Sequence, residues 1–351
     1  MKTIRIIAAL YIIVLLTFTA KVSAQDDFTK NYKQQFQVDE NTLVDISNKY
    51  GDVVVKETNE NLVSINVTIT IKGEKKEKAA QYADNIVITL KKEGNTVFGQ
   101  TELKDGFNNV NFKIDYEVLM PKQLNLNLEN KYGSVFINEL SGVVNLTIKY
   151  GNLTANKLLR GKTEPKSMVN VAYGKADIEE CNWLKLDVSY SKIEIEHSQA
   201  LMIVSKYSKI EIGESSSVVA DSKYDTPFEI GTVNNFVCTG KYSKYSVGKL
   251  NKKLEIDAKY SKVEISEVAS DFDEIKIDCG YGGADIGVNA SSSYQLNADV
   301  EYGDISYPHN DRMSRQRDNT SIKVWGPVGN QSNPAAKINI ICRYGNVNLG
   351  D

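Results

Sequence analysis

The sequence predicts an all-β protein, a parallel single-chain β-solenoid with rungs of about 17–21 residues. Three observations predict it: a recurring tyrosine motif, strand-like alternation within each repeat, and repeats too small to fold alone. The motif is a tyrosine followed by Gly, Ser or Asp, at Tyr50, Tyr132, Tyr150, Tyr173, Tyr190, Tyr207, Tyr224, Tyr242, Tyr260, Tyr281, Tyr302 and Tyr344. From Tyr132 to Tyr302 the units lie 17 to 23 residues apart. A period near 20 with strand-like content is typical of β-solenoids.

One unit shows how a rung is expected to form. From Leu184 to Tyr190 apolar and polar residues alternate, which predicts a half-buried strand with Tyr190 on the inner side. The alternation then slips by one residue at Ser191-Lys192, and Ile193 begins the next apolar series. Such a slip predicts a corner or bulge. Many units have Gly after the tyrosine, which suggests positive φ there, whereas the middle units have Ser. The repeated tyrosines are therefore expected to pack on one another in the core.

The apolar burial within a single rung does not offset the conformational entropy that the rung loses when it folds. It buries about six apolar side chains, worth roughly 1.5–3 kcal/mol each. Ordering about 18 backbone residues costs about 1–2 kcal/mol each. Rungs stacked at about 4.8 Å add backbone ladders and pack equivalent residues on one another. Lys and Glu should then form outward columns.

The chain divides into three expected parts. Residues 1–24 have a basic start, an apolar run and the small-residue site Val22-Ser23-Ala24, which predicts a cleaved signal peptide. Residues 25–130 are expected to form a β region whose short helix, 74–84, caps the first rung. Residues 131–351 are expected to form the solenoid repeats, with an irregular loop at 308–334. No later stretch is apolar enough to be a transmembrane segment.

Composition excludes several functions. The net charge of −3 argues against nucleic acid as a partner. The two histidines offer little for catalysis or metal binding, and no cofactor site is expected. Cys238, Cys279 and Cys342 fall at inward positions, and Cys279 and Cys342 should share a column two or three rungs apart. That separation, about 10–14 Å at the strand spacing, is too long for a disulfide. These three are predicted to be reduced core residues, whereas Cys181 is left open.

The lysines are the most regular candidate for a ligand-binding surface. Lys175, Lys192, Lys209, Lys244 and Lys262 each lie two residues after a tyrosine, and a second set precedes the tyrosines. They could hold an anionic polysaccharide or lipid headgroup. The alternative is a solvated face balanced by nearby Asp and Glu, which the near-zero local charge favours. Tyr245, Trp183 and Trp325 lie off the tyrosine column and are the better candidates for stacking on sugars.

An enzyme is the less favoured interpretation. Some parallel β-helices cleave acidic polysaccharides, and general acid–base catalysis there needs two carboxylates in distinct environments. The outward Asp177, Asp285 and Asp304 recur as members of ladders, and no pair stands apart. No catalytic, cofactor or metal-binding residue is predicted.

The sequence resembles a known family in several segments. They are NKYGDVVV at 48–55, a helix-bearing β insert, YEVLMPKQLNLNLENKYGSVFI at 116–137, and the serial YG and YS units. Together they resemble the bacterial, Bacteroidetes-type putative-adhesin family, which is akin to auto-transporter adhesin head (GIN-like) domains. The resemblance covers nearly all of the mature chain and implies a β-solenoid at the cell envelope. The Lys-rich YSK units depart from the family's usual Gly and Asp at the corner.

Three functions follow as hypotheses. The first is a non-enzymatic, exported, adhesin-like binding or scaffold protein, with a glycan or a protein at the cell surface as partner. The second is a structural or regulatory protein of the periplasm without an extracellular ligand. The third is a polysaccharide-active β-helix enzyme. Location in the periplasm or at the surface, the ligand and the oligomeric state are left open.

Overall fold

The computed structural model describes residues 27–104, 107 and 110–350, and confirms an all-β solenoid with one short helix. The expected signal peptide, 1–24, lies outside the described residues. The N-terminal elements are β1 (Phe28–Gln37), β2 (Leu43–Lys49), β3 (Val53–Glu57), β4 (Leu62–Lys72), α1 (Lys76–Asp84), β5 (Ile86–Glu93), β6 (Thr96–Leu103) and β7 (Asn111–Met120).

The strands of the stack follow β7. They are β8 (Asn125–Lys131), β9 (Val135–Leu140), β10 (Val144–Lys149), β11 (Asn152–Leu158), β12 (Ser167–Ala172), β13 (Lys175–Ser189), β14 (Lys192–Lys206), β15 (Lys209–Lys223), β16 (Phe228–Lys241), β17 (Lys244–Lys259), β18 (Lys262–Val268), β19 (Glu274–Gly280), β20 (Gly283–Val288), β21 (Tyr294–Glu301), β22 (Ile305–Ser306), β23 (Ser314–Arg317), β24 (Ser321–Val328), β25 (Lys337–Arg343) and β26 (Asn346–Gly350).

Each rung contributes to two parallel ladders, one formed before its tyrosine and one after it. The ladder before the tyrosine runs through β2, β8, β10, β12, the second halves of β13–β17, β19, β25 and β21. The ladder after it runs through β3, β9, β11, the first halves of β13–β17, β18, β20, β26 and β22. Alternate aliphatic side chains from both ladders fill one continuous core.

The tyrosine is the corner of the rung, and its side chain lies outside the core. All twelve motif tyrosines have φ between 52° and 62°, and their side chains are 40–55% exposed. The prediction that these tyrosines pack inside is therefore wrong. A residue in the left-handed region turns the chain, so the alternation slips at Tyr190 itself. The next residue, Ser191, then points inward and is buried.

The residue after the tyrosine is small because neighbouring rungs approach closely there. A Cβ on Gly133 would lie 1.9 Å from the carbonyl oxygen of Gly51 in the adjacent rung. This contact thus requires glycine at position 133, and the expectation of positive φ at the residue after the tyrosine is wrong. In the middle units a serine hydroxyl fits instead. Ser208 Oγ donates to the Lys206 carbonyl at 2.8 Å and accepts the Ser191 N–H at 3.3 Å.

The N-terminal region covers the first rung. The antiparallel strands β1, β4 and β7 extend the ladder of β3, and the β5–β6 hairpin extends the ladder of β2. Helix α1 buries Ala79 and Ala83, which lie four residues apart on one face. Within the described residues, no helix has the length and apolar character needed to cross a bilayer.

The far end of the stack does not follow chain order. Strands β25 and β26 lie between the rung of β19 and β20 and the rung of β21 and β22. The ring of Tyr344 accordingly stacks between Tyr281 and Tyr302. Within residues 308–334, β23 and β24 form a hairpin that pairs antiparallel to β21. This hairpin covers one ladder of the final rung.

Insertion of this rung changes the cysteine geometry. Cys279 and Cys342 share a column, as expected, but they are direct register partners on neighbouring strands. The predicted separation of two or three rungs is therefore wrong, because the last rung in sequence is not the last in space. All four cysteines are buried, and none of them is in a disulfide in this structure.

Candidate functional site: the tyrosine edge

The twelve motif tyrosines form one continuous stack along the corner of the solenoid, here called the tyrosine edge. Successive ring centroids lie 4.7–5.1 Å apart, and the rings are within 2–9° of parallel. At one end Phe112 packs edge-on against Tyr50, with centroids 5.3 Å apart. Since the rings cover one another's faces, the exposed area consists of ring edges and their phenol groups. The edge offers a row of hydroxyls at strand spacing.

A row of lysines borders this edge on the ladder before the tyrosines. These edge lysines each precede a motif tyrosine, and all but the half-buried Lys131 are exposed: Lys49, Lys131, Lys149, Lys206, Lys223, Lys241 and Lys259. Lys131 and Lys223 pair with Glu129 and Asp221 at 2.9 and 3.2 Å. Among the described residues, no carboxylate oxygen lies within 4.0 Å of the other five ammonium groups. The border of the tyrosine edge therefore carries five lysine charges without an ion-pair partner among the described residues.

The lysines predicted as a ligand face have a different environment. The structure aligns Lys175, Lys192 and Lys209 in one column, and Lys244 and Lys262 in its continuation beyond Pro227. These face lysines are held in a ladder of carboxylates. Lys175 Nζ lies 2.6 Å from a Glu194 carboxylate oxygen, and Lys262 Nζ lies 2.7 and 2.8 Å from Glu264 and Asp285. The face is close to neutral and largely satisfied by its own ion pairs.

The pKa values follow these contacts. Hydrogen bonds from Lys175 and then Lys192 lower the pKa of Glu194 to about 2. Hydrogen bonds from Lys244 and Lys262 lower the pKa of Glu264. Both carboxylates are exposed enough for solvent to weaken the pairs, so each pair is worth at most about 1 kcal/mol. The ladder organises charge at the surface and contributes modestly to stability.

The aromatic candidates off the column have different positions. Tyr245 is fully buried, because it takes the inward position aligned with Phe228 and Val263. The expectation that it could stack on a sugar is wrong. Trp183 is half-buried under the Lys166 ammonium, 5.4 Å from the ring, whereas Trp325 is 44% exposed.

An acidic trough lies on the ladder after the tyrosines. Gly213, Gly231 and Gly248 form its floor, and Glu211 and Glu229 are among its walls. Glu211 is engaged by Lys209 and Lys192, whereas Glu229 lies beside Pro227 at the break in the face lysines. His197 is exposed, with Nδ1 3.5 Å from Glu214. In the described part of the chain, no group of three or more His, Cys, Asp or Glu side chains could hold a metal ion.

The tyrosine edge is the feature that the sequence interpretation missed. The sequence analysis extended the alternation of inward and outward side chains as far as the tyrosine, and so placed the aromatic rings in the core. The available signal was the small residue after each tyrosine, because Gly or Ser at a tight turn marks a position where this alternation can end.

Comparison with solved structures finds similar chains of low identity. A putative adhesin from Parabacteroides distasonis is 14% identical, with 74% of this chain and 96% of that chain covered and a TM-score of 0.34. A putative adhesin from Parabacteroides merdae is 11% identical, with 92% and 97% covered and a TM-score of 0.29. A putative lipid binding protein from Parabacteroides distasonis is 14% identical, with 70% and 96% covered and a TM-score of 0.35.

No curated protein is similar enough to this chain to count as a match. A family model does match, and it covers residues 41–350, from before the first motif tyrosine to the last strand of the stack. That range contains both ladders and the whole tyrosine edge. The chain therefore belongs to the Toastrack DUF4097 family.

Proposed function

We propose that this protein is a non-enzymatic, exported binding protein of the cell envelope, adhesin-like, whose tyrosine edge holds an anionic polysaccharide. The observation that carries the proposal is the exposed row of stacked tyrosines, bordered by edge lysines of which five have no ion-pair partner among the described residues. Many weak contacts at regular spacing suit a polymer, because each new contact along one chain is intramolecular and adds to avidity.

The chemistry of the edge favours an anionic ligand over a neutral one. Neutral sugars gain most from an open aromatic face, and here the faces are covered by neighbouring rings. A phenol O–H can donate a hydrogen bond to a carboxylate or sulfate oxygen, and a lysine ammonium can do the same with added charge. The face lysines are less suited, since carboxylates already occupy them.

Binding to immobilised alginate, a linear polyuronate, tests this proposal, with neutral dextran as the comparison. The edge variant replaces Lys206, Lys241 and Lys259 with Gln. Three exposed contacts at roughly 0.5 kcal/mol each predict about tenfold weaker binding. The control variant removes the same charge away from the edge, at Lys249, Lys252 and Lys276, and should bind alginate nearly as the unmodified protein does.

Two results would overturn the proposal. One is no salt-sensitive binding to alginate above that to dextran. The other is equal loss in the edge and control variants, which would assign the effect to net charge alone. Circular dichroism of both variants checks that the stack is intact.

Location needs a separate experiment. Protease treatment of intact host cells, with a periplasmic protein as control, should degrade this protein if it is displayed outside. Protection until the outer envelope is opened would instead favour a structural or regulatory protein of the periplasm, the second hypothesis from the sequence.

A further inference from the structure

We propose that Cys279 and Cys342 form a disulfide that locks the inserted rung of β25 and β26 into the stack. The two cysteines belong to strands that are neighbours in space although 63 positions separate them in sequence (342 − 279). Cys342 lies in the rung that enters the stack out of chain order. A covalent link at this place would fix that rung against β19.

The geometry permits the bond. Cys279 and Cys342 are direct register partners, and neighbouring strands lie about 4.8 Å apart, within the roughly 4.4–6.8 Å between Cα atoms that disulfides require. Both side chains point into the core and are at most 1% exposed.

The other two cysteines provide an internal control. Cys181 aligns with Leu158 and Ser198, on the ladder after the tyrosines. Cys238 aligns with Ala220 and Ile256, on the ladder before them. Neither has a cysteine as its register partner, so the link is specific to the inserted rung.

The bond must form before the core closes. Cys279 and Cys342 are at most 1% exposed in the folded stack, so an oxidant in solution cannot reach either thiol once the core has closed. During folding, one thiolate attacks a small disulfide oxidant such as oxidised glutathione and forms a mixed disulfide, releasing one glutathione. The second cysteine thiolate attacks the protein sulfur of that mixed disulfide and releases the second glutathione. Two electrons and two protons pass from the cysteine pair to the oxidant.

Refolding of the full chain from denatured, reduced protein tests the link. The refolding buffer contains reduced and oxidised glutathione, and a parallel sample contains dithiothreitol. Free thiols are then alkylated under acid-quenched, denaturing conditions, and the peptides are mapped by mass spectrometry. We expect a linked peptide pair containing Cys279 and Cys342, with Cys181 and Cys238 alkylated. Four alkylated cysteines after oxidative refolding, or any other pairing, would overturn the proposal.

Thermal unfolding supplies a second readout. The oxidised protein should melt several degrees above its reduced form, because the disulfide lowers the conformational entropy of the unfolded chain. The Cys238→Ala variant should retain this difference, whereas Cys279→Ala should lose it. An equal difference in both variants would show that the oxidant acts elsewhere.

Discussion

Removing one ring from the tyrosine edge should destabilise the protein although the ring is half exposed. Tyr207 stacks on Tyr190 and Tyr224 with centroids 5.0 and 4.8 Å away. Each aromatic pair is worth about 0.5–1.5 kcal/mol, so Tyr207→Ala should cost about 1–3 kcal/mol. Tyr207→Phe keeps both rings in place and should cost little.

The backbone conformation of Tyr207 has a separate free-energy cost, which can be measured at the same position. Tyr207 has φ of 52°, a conformation that costs a non-glycine residue roughly 1–2 kcal/mol. Tyr207→Gly also loses the ring but relieves this strain, so it should be the more stable of the two truncations. The order of stability expected is the unmodified protein and Tyr207→Phe, then Tyr207→Gly, then Tyr207→Ala.

Urea unfolding followed by far-ultraviolet circular dichroism measures these differences. Tyr302 is a useful comparison, because within the column it stacks on Tyr344 alone, and its alanine variant should lose about half as much from stacking. If Tyr207→Ala unfolds within about 0.5 kcal/mol of Tyr207→Phe, the level of ordinary surface substitutions, the stacking argument is refuted.

Two further predictions concern packing and pH. A Cβ on Gly240 would lie 1.7 Å from the Tyr245 hydroxyl oxygen, so Gly240→Ala should be strongly destabilising. Adding Tyr245→Phe, which removes that oxygen, should restore part of the lost stability. A double-mutant cycle measured by urea unfolding that gives no coupling energy would contradict this contact. Because the folded pKa of Glu194 is about 2 and its ordinary value is 4.5, its ion pairs with Lys175 and Lys192 stabilise the protein above about pH 4.5 and fade as the pH falls towards 2. The Glu194→Gln variant should lack this contribution, which is at most about 1 kcal/mol for each of the two pairs. A pH dependence of unfolding identical to that of the unmodified protein would argue against it.

Periodicity was sufficient to predict the architecture from the sequence. Alternation along the strand before Tyr190 and the 17-residue repeat to Tyr207 define a rung and its stacking partner, and the structure places Leu184 opposite Leu201 as that repeat requires. The corner could not be predicted in the same way. Side-chain parity is a property of extended backbone, and the positive φ at Tyr190 ends it.

The candidate site was predictable only in part. The columns of lysine were visible, but which lysines remain unpaired depends on where the carboxylates fall in three dimensions. Glu194 lies between Lys175 and Lys192 across adjacent rungs, whereas Lys206 has only Val204, Ser189 and Lys223 at the matching outward positions of its own ladder. The repeat unit alone does not fix these neighbours, because they belong to different rungs.

The out-of-order rung has a consequence for how the chain is made. A repeat protein can in principle be built outward from its first rung as each unit is synthesised. Here residues 294–306 are synthesised before residues 337–350 but lie beyond them in the stack. They cannot reach their final place by adding directly to the rung of Tyr281. Growth in step with translation can proceed as far as that rung, and the remainder must assemble together, as one cooperative closing event.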